Sequence, residues 1–101
     1  MEKPKTVRIF GQLYKITHDY KSDSNYGLTE SQHNHIQLRP NLPEDKLKRV
    51  FMHELTHAVI AESLLCDAET FDQEQVCDLV GFHILDTLIA NPAILKWVTS
   101  K

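Results

Sequence analysis

The stretch from Glu44 to Leu64 places the strongest constraint on the fold, because its apolar residues have helical spacing and cover more than one side of a helix. Pro43, followed by Glu44 and Asp45, is typical of a first helical turn, since proline tolerates that position and acids stabilise the positive end of the helix dipole. The apolar stripe comprises Leu47, Val50, Phe51, Leu55, Ala58 and Ala61, with Met52, Val59 and Ile60 extending it. So apolar a helix must be covered on more than one side, and we expect it at the centre of the fold.

Two hairpins are predicted before this helix. Apolar and polar residues alternate from Thr6 to His18, and Gly11-Gln12 is a suitable two-residue turn that sets Ile9 opposite Tyr14 and Val7 opposite Ile16. A second hairpin is expected to pair residues 26–30 with residues 35–39 across residues 31–34, with Ile36 and Leu38 pointing to the core. The sequence therefore predicts an N-terminal antiparallel sheet.

Two further helices are predicted after the central one. Asp72 is suited to cap the second helix, with Gln75 as its capping-box partner, and the apolar pattern continues to about Ala90. Asn91-Pro92 ends that helix, and we expect it to cap a short terminal helix. The predicted fold class is α+β, with residues 1–101 forming a single domain in which the sheet packs on two central helices.

Charge and composition exclude several functions. The formal net charge of −3, with acidic and basic residues interspersed, provides no basic face for nucleic acid. The apolar runs are too short to span a membrane, and residues 1–5 do not begin a secretory signal. Two cysteines, Cys66 and Cys77, fit reduced thiols, so we expect a cytoplasmic protein that binds neither nucleic acid nor membrane. The oligomeric state is not predicted.

The segment His53-Glu54-Leu55-Thr56-His57 provides half of a zinc hydrolase site. Residues four apart lie on one face of a helix, so both imidazoles can point at one ion, with Glu54 placed to accept a proton from a water that the metal activates. A catalytic zinc needs a third protein ligand and one open position. The Gly-x-x-His extension used by one class of zinc peptidases is absent, since Ile60 and Ser63 occupy those positions.

The second predicted helix offers the third ligand. Cys66 lies just past the end of the first helix, where nothing holds a thiolate toward the histidines. Glu74 and Asp78 are one turn apart, and Gly81 on their face is expected to let the two helices approach closely. We predict Glu74 as the third ligand and Asp78 as the acceptor of a hydrogen bond from the ring of His53.

These two segments resemble a known family of enzymes. His53-Glu-Leu-Thr-His-Ala-Val59, followed by Glu74-x-x-x-Asp78-Leu-Val-Gly81, is similar to the pattern of thermolysin-like gluzincins. In its small size and order of elements, the chain more closely resembles the short ImmA/IrrE-type zinc metallopeptidases of phages and mobile elements. Those proteins often regulate phage or stress genes, some by cleaving a repressor. The resemblance implies a zinc-dependent metallopeptidase whose substrate is a peptide or a protein, such as a phage or host regulatory protein.

Two departures from the family leave alternatives open. The chain lacks the helix-turn-helix segment of many relatives, and no distal motif supplies the group that stabilises the oxyanion, for which Tyr20, Tyr26, His33 and His35 are candidates. If residues 35–39 form a sheet edge at the cleft, an extended peptide can add to them as another strand. The alternative function is a non-catalytic zinc-binding regulatory or interaction module, although an intact Glu54 favours the enzyme.

Overall fold

The fold consists of four strands followed by three helices, and the computed structural model describes residues 3–63 and 73–100, with the backbone alone for residues 73–79. The strands are β1 (Thr6–Ile9), β2 (Gln12–Thr17), β3 (Gly27–Glu30) and β4 (His35–Leu38). The helices are α1 (Glu44–Ser63), α2 (Gln73–Ala90) and α3 (Pro92–Val98). The α+β class is therefore confirmed. Within the described ranges, none of the helices has the length and apolar character needed to cross a membrane.

The first hairpin forms, but its predicted register is wrong by two residues. Val7 lies opposite Tyr14 and Ile9 opposite Gln12, so the turn is Phe10-Gly11 rather than Gly11-Gln12. Both turn residues have positive φ, 49° and 81°, as a type I′ hairpin requires. A shift of two residues keeps every side chain on its face of the sheet, so Val7, Ile9 and Tyr14 are still buried.

The sheet is mixed, which corrects the expectation of an antiparallel sheet. Its strand order is β1-β2-β4-β3, and β4 pairs in parallel with β2, with Ile16 opposite Ile36, and antiparallel with β3. The second hairpin is confirmed, with a short 3₁₀ turn at Ser31–His33 between its strands. Between two neighbours, β4 buries Ile36 and Leu38 completely. The edge strand of this half of the sheet is therefore β3, and β4 is interior.

Helix α1 provides the centre of the core, as its apolar stripe predicts. It contacts β3, β4 and α2, so it is covered on more than one side. Phe51, Leu55 and Ala58 are fully buried in the core. The full hydrophobic core comprises Val7, Ile9, Tyr14, Ile16, Ile36, Leu38, Leu47, Phe51, Leu55, Ala58, Val59, Ile94 and Trp97.

The junction of α2 and α3 ties the helices to the edge of the sheet. Asn91 and Pro92 separate the two helices as expected, but the side chain of Asn91 does not cap α3. Its amide instead accepts a hydrogen bond from the backbone N–H of Arg8 and donates to the carbonyls of Arg8 and Thr87. Asn91 thus supplies the free edge of β1 with partners that a further strand would otherwise provide.

The indole of Trp97 joins α3 to the start of α1. Trp97 is 1% exposed, its Nε1 donates a 2.7 Å hydrogen bond to Oε1 of Glu44, and its ring meets Phe51 edge to face. Trp97→Phe should lower the free energy of unfolding by about 1–3 kcal/mol, because it removes that hydrogen bond and leaves unfilled volume. Urea unfolding measures the effect. Leu95→Ala is the control, since Leu95 is 40% exposed on the same helix, and an equal loss in both variants would contradict the anchoring role of Trp97.

Candidate metal-binding and catalytic site

The rings of His53 and His57 meet on the exposed side of α1. Their Nε2 atoms are 3.2 Å apart, and the ring centroids are 4.8 Å apart at an interplanar angle of 79°. Tetrahedral zinc, with Zn–N distances near 2.0–2.1 Å, separates two ligand nitrogens by about 3.3 Å. The two nitrogens therefore have the separation that a shared ion requires, which is also the distance of a hydrogen bond between a protonated and an unprotonated ring nitrogen.

Glu54 lies between the two histidines in sequence but points into the protein. It is only 6% exposed, and the hydroxyl of Thr29 donates to its Oε1 at 2.8 Å and to its backbone carbonyl at 2.9 Å. Burying a carboxylate is costly unless a partner compensates, and Thr29 is such a partner. The edge strand β3 thus fixes the orientation of the Glu54 carboxyl group.

Gly27 allows β3 to pass close to this carboxyl group. A Cβ at position 27 would lie 3.0 Å from Cγ and 3.2 Å from Oε2 of Glu54, and 3.1 Å from the carbonyl oxygen of Gln37. Only a residue without a side chain fits this space without displacing a neighbour. Gly27 and Thr29 therefore position Glu54 from the same strand. Neither residue could be predicted from the sequence, because one Gly and one Thr in a short strand have no distinctive pattern.

A cleft of about 810 Å³ lies above these side chains, between α1 and β3. Its floor includes His53, Glu54 and His57, and its walls include Leu28 of β3. The full lining comprises Ser24, Asn25, Tyr26, Gly27, Leu28, Thr29, Ser31, Lys46, Arg49, Val50, His53, Glu54, His57 and Ala61. Of the predicted apolar stripe, Val50 lines this cleft as well as packing against the core, and the exposed Ala61 lines it too.

One of the four candidates for stabilising an oxyanion reaches the cleft. Tyr26 lines it, whereas Tyr20, His33 and His35 do not. His35 lies on β4 next to the buried Ile36, so it points to the opposite face of the sheet, where its Nε2 is 2.8 Å from the hydroxyl of Thr17.

The predicted third ligand lies on α2, which packs against α1. Glu74 and Asp78 fall within the helix that the sequence predicts, but their side chains, and Cys66 altogether, lie outside the described residues. Among the described residues, no three His, Cys, Asp or Glu side chains are grouped as a metal would need. His53 and His57 are thus brought together, Glu54 lines the same cleft, and the third ligand stays a prediction.

Gly81 does not have the role expected of it. Among the described residues, no atom lies within 4 Å of the position a Cβ would take there, and Gly81 is exposed. Within the part of the chain that the structure describes, it therefore marks no close approach of the two helices. The close approach that needs a glycine is at Gly27, between a strand and α1.

These two glycines form a matched pair of tests. Gly27→Ala should lower the free energy of unfolding by about 1–3 kcal/mol, because β3 or Glu54 must move to accept the methyl group. Gly81→Ala should be neutral or stabilising by up to about 1 kcal/mol, since alanine favours an open helical position. Urea unfolding of both variants is the measurement, and a Gly27→Ala protein as stable as the parent would contradict the contact of β3 with Glu54.

Comparison with known proteins adds no family to this geometry. The chain matches no protein-family model, no curated protein and no solved structure.

Proposed function

We propose that this protein is a zinc-dependent metallopeptidase that hydrolyses peptide bonds in the cleft between α1 and β3. The observation that carries the proposal is the pair of Nε2 atoms of His53 and His57, 3.2 Å apart, beside the buried and hydrogen-bonded carboxyl group of Glu54. A purely structural metal site needs ligands but no such carboxylate. A peptide regulator, such as a phage or host repressor, is the proposed class of substrate.

Zinc would be held by Nε2 of His53, Nε2 of His57 and the carboxylate of Glu74. Glu74 is chosen for the Glu-x-x-x-Asp spacing, and it lies in the first turn of α2, the helix that packs on α1. Asp78, one turn further along, would accept a hydrogen bond from the second ring nitrogen of His53 and so fix its tautomer. When bound, zinc supplies a water whose pKa is lowered toward about 7 and polarises the peptide carbonyl.

Glu54 would act as the general base. Thr29 donates to its Oε1, which leaves Oε2 to accept the proton of the attacking water. The same carboxyl group would then deliver that proton to the nitrogen of the leaving amine. Burial keeps competing water away from Glu54, and Thr29 holds the carboxyl group in one orientation throughout. Tyr26, on the wall of the cleft, is the proposed hydrogen-bond donor to the developing oxyanion.

An extended peptide would bind along β3. Residues 35–39 are not the sheet edge at the cleft, because β4 is interior and β3 is the edge strand that borders the cleft. The outer edge of β3 can therefore pair with a substrate strand through main-chain hydrogen bonds, which tolerate many substrate sequences. Both Gly27 and Thr29 of this strand lie next to the proposed base.

Glu54→Gln tests the catalytic role. Peptide hydrolysis should fall by about 10²–10⁴-fold, because the amide cannot accept the proton, while zinc content should be unchanged. Cleavage of a quenched fluorescent peptide pool and of candidate repressors, with metal analysis of the same samples, gives both results. Glu62→Gln is the control, since Glu62 is on the same helix but accepts a hydrogen bond from the hydroxyl of Tyr14 instead of lining the cleft. Firmly held zinc without hydrolysis by the parent would favour the non-catalytic module.

Glu74→Ala tests the third ligand. The parent, purified without chelator, should contain about one zinc per chain. Chelator competition measures the zinc affinity of the variants. Asp78→Ala should lose about 10–100-fold in affinity, and Glu74→Ala should lose more. Asp86→Ala, an exposed acid on the same helix, is the control and should bind zinc like the parent. A parent without zinc contradicts the proposed metal site. An unchanged affinity in Glu74→Ala contradicts only the third ligand.

A further inference from the structure

We propose that Lys46 and Arg49 form a subsite that binds a carboxylate of the substrate, so that the cleft selects acidic peptides. The inference rests on the proposed function only in treating the occupant of the cleft as a peptide. Both side chains line the cleft that contains His53 and Glu54. They precede His53 on α1 by two turns and by about one turn, so the rise of 1.5 Å per residue places them roughly 10 Å and 6 Å along the helix from it.

The end of the cleft that Lys46 and Arg49 line is basic, whereas the protein as a whole is acidic. The chain has a formal net charge of −3, yet Glu54 is the single acid among the described residues that line the cleft. The carboxyl group of Glu54 is buried and engaged by Thr29, and within the described residues it forms no ion pair with either cation. Both cations lie in the first two turns of α1, where the helix dipole disfavours positive charge and adds to the positive potential.

Lys46 is held in place by Tyr26. Its Nζ lies 3.3 Å from the hydroxyl oxygen of Tyr26 and 4.4 Å from the centre of that ring. The guanidinium of Arg39 lies 4.5 Å from the same ring centre and is itself fixed by the carbonyls of Ser22 and Asn25. This anchoring reduces the conformational freedom that Lys46 would lose on binding, and the ammonium keeps further N–H donors for a ligand.

Arg49 is available to a ligand. It is exposed, and within the described residues its guanidinium makes no hydrogen bond, ion pair or ring contact. A guanidinium presents paired N–H donors that match the two oxygens of a carboxylate. Arg49 is therefore suited to bind the carboxylate directly, with Lys46 adding a second donor further along the cleft.

The spacing fits an extended peptide. A strand advances about 3.3 Å per residue, so a carboxylate about two or three residues from the bond beside Glu54 reaches Arg49 or Lys46. Such a carboxylate is either the side chain of Asp or Glu or the C-terminus of the peptide. The chemistry of recognition is the same for both sources.

A binding experiment without turnover separates the two sources. Four extended heptapeptides with an uncharged fluorescent label carry Glu or Gln at the central position, each with a free or an amidated C-terminus. Their affinity for the Glu54→Gln protein is measured by fluorescence anisotropy. We expect the carboxylate-bearing peptides to bind about tenfold more tightly than the uncharged Gln amide, and the Glu amide and the Gln acid identify the source.

The subsite variant is Lys46→Ala with Arg49→Ala in the same Glu54→Gln background. It should lose the preference for a carboxylate while binding the Gln amide unchanged. Lys15→Ala is the matched control, because Lys15 is exposed on the face of the sheet opposite α1 and should keep the full preference. Thermal unfolding of all variants checks that each is folded.

Several outcomes would overturn the subsite. The subsite is contradicted if all four peptides bind equally or if none of them binds. It is also contradicted if the carboxylate preference survives in the double variant. The readout requires neither zinc nor hydrolysis. Hydrolysis by the parent without a carboxylate preference therefore removes the subsite alone, and a carboxylate preference in a protein without zinc or hydrolysis removes the metallopeptidase proposal alone.

Discussion

The packing of α1 against the sheet is the contact on which the other features depend. Phe51, Leu55 and Ala58 are fully buried, and they fix the rotation of the helix about its axis. Once that rotation is fixed, helical geometry places His53 and His57 together on the exposed side. A helix with its apolar face turned elsewhere would bury the imidazoles or separate them from β3. Core packing and the arrangement of the site are therefore two consequences of one contact.

The carboxyl group of Glu54 shows how the edge strand contributes. Pairing with β4 places β3 against α1, and the buried carboxyl group at that boundary must be compensated. Thr29 supplies a hydrogen bond, and Gly27 supplies the space that lets the strand come close. The two residues act on the same side chain, because a Cβ at position 27 would crowd the carboxyl group that Thr29 binds. The local sequence of β3 is thus adapted to a residue that is distant in the chain.

The sequence predicted what local periodicity determines. Helical spacing and the residues that begin or end a helix predict three features. These are the bounds of α1, the separation of α2 from α3 at Asn91-Pro92, and the proximity of His53 to His57. Properties that depend on pairing between distant segments were not predictable. Alternation of apolar residues is unchanged by a shift of two positions, so the predicted register of the first hairpin was wrong. Alternation is also identical in edge and interior strands, so it could not show that β4 lies in the interior of the sheet.

The proposed metal and the basic end of the cleft would act on the same ligand. Two neutral imidazoles and one carboxylate leave about one positive charge on a bound divalent ion, and this charge adds to those of Lys46 and Arg49. Screening at physiological salt has a length of about 8 Å, so Arg49, roughly 6 Å along α1 from His53, is coupled to the ion more strongly than Lys46, roughly 10 Å away. An anionic peptide and the ion would therefore each strengthen the binding of the other, since coupling between two sites is reciprocal. The Glu54→Gln protein should then show a larger carboxylate preference with zinc than without it, and the increase should depend on Arg49 more than on Lys46.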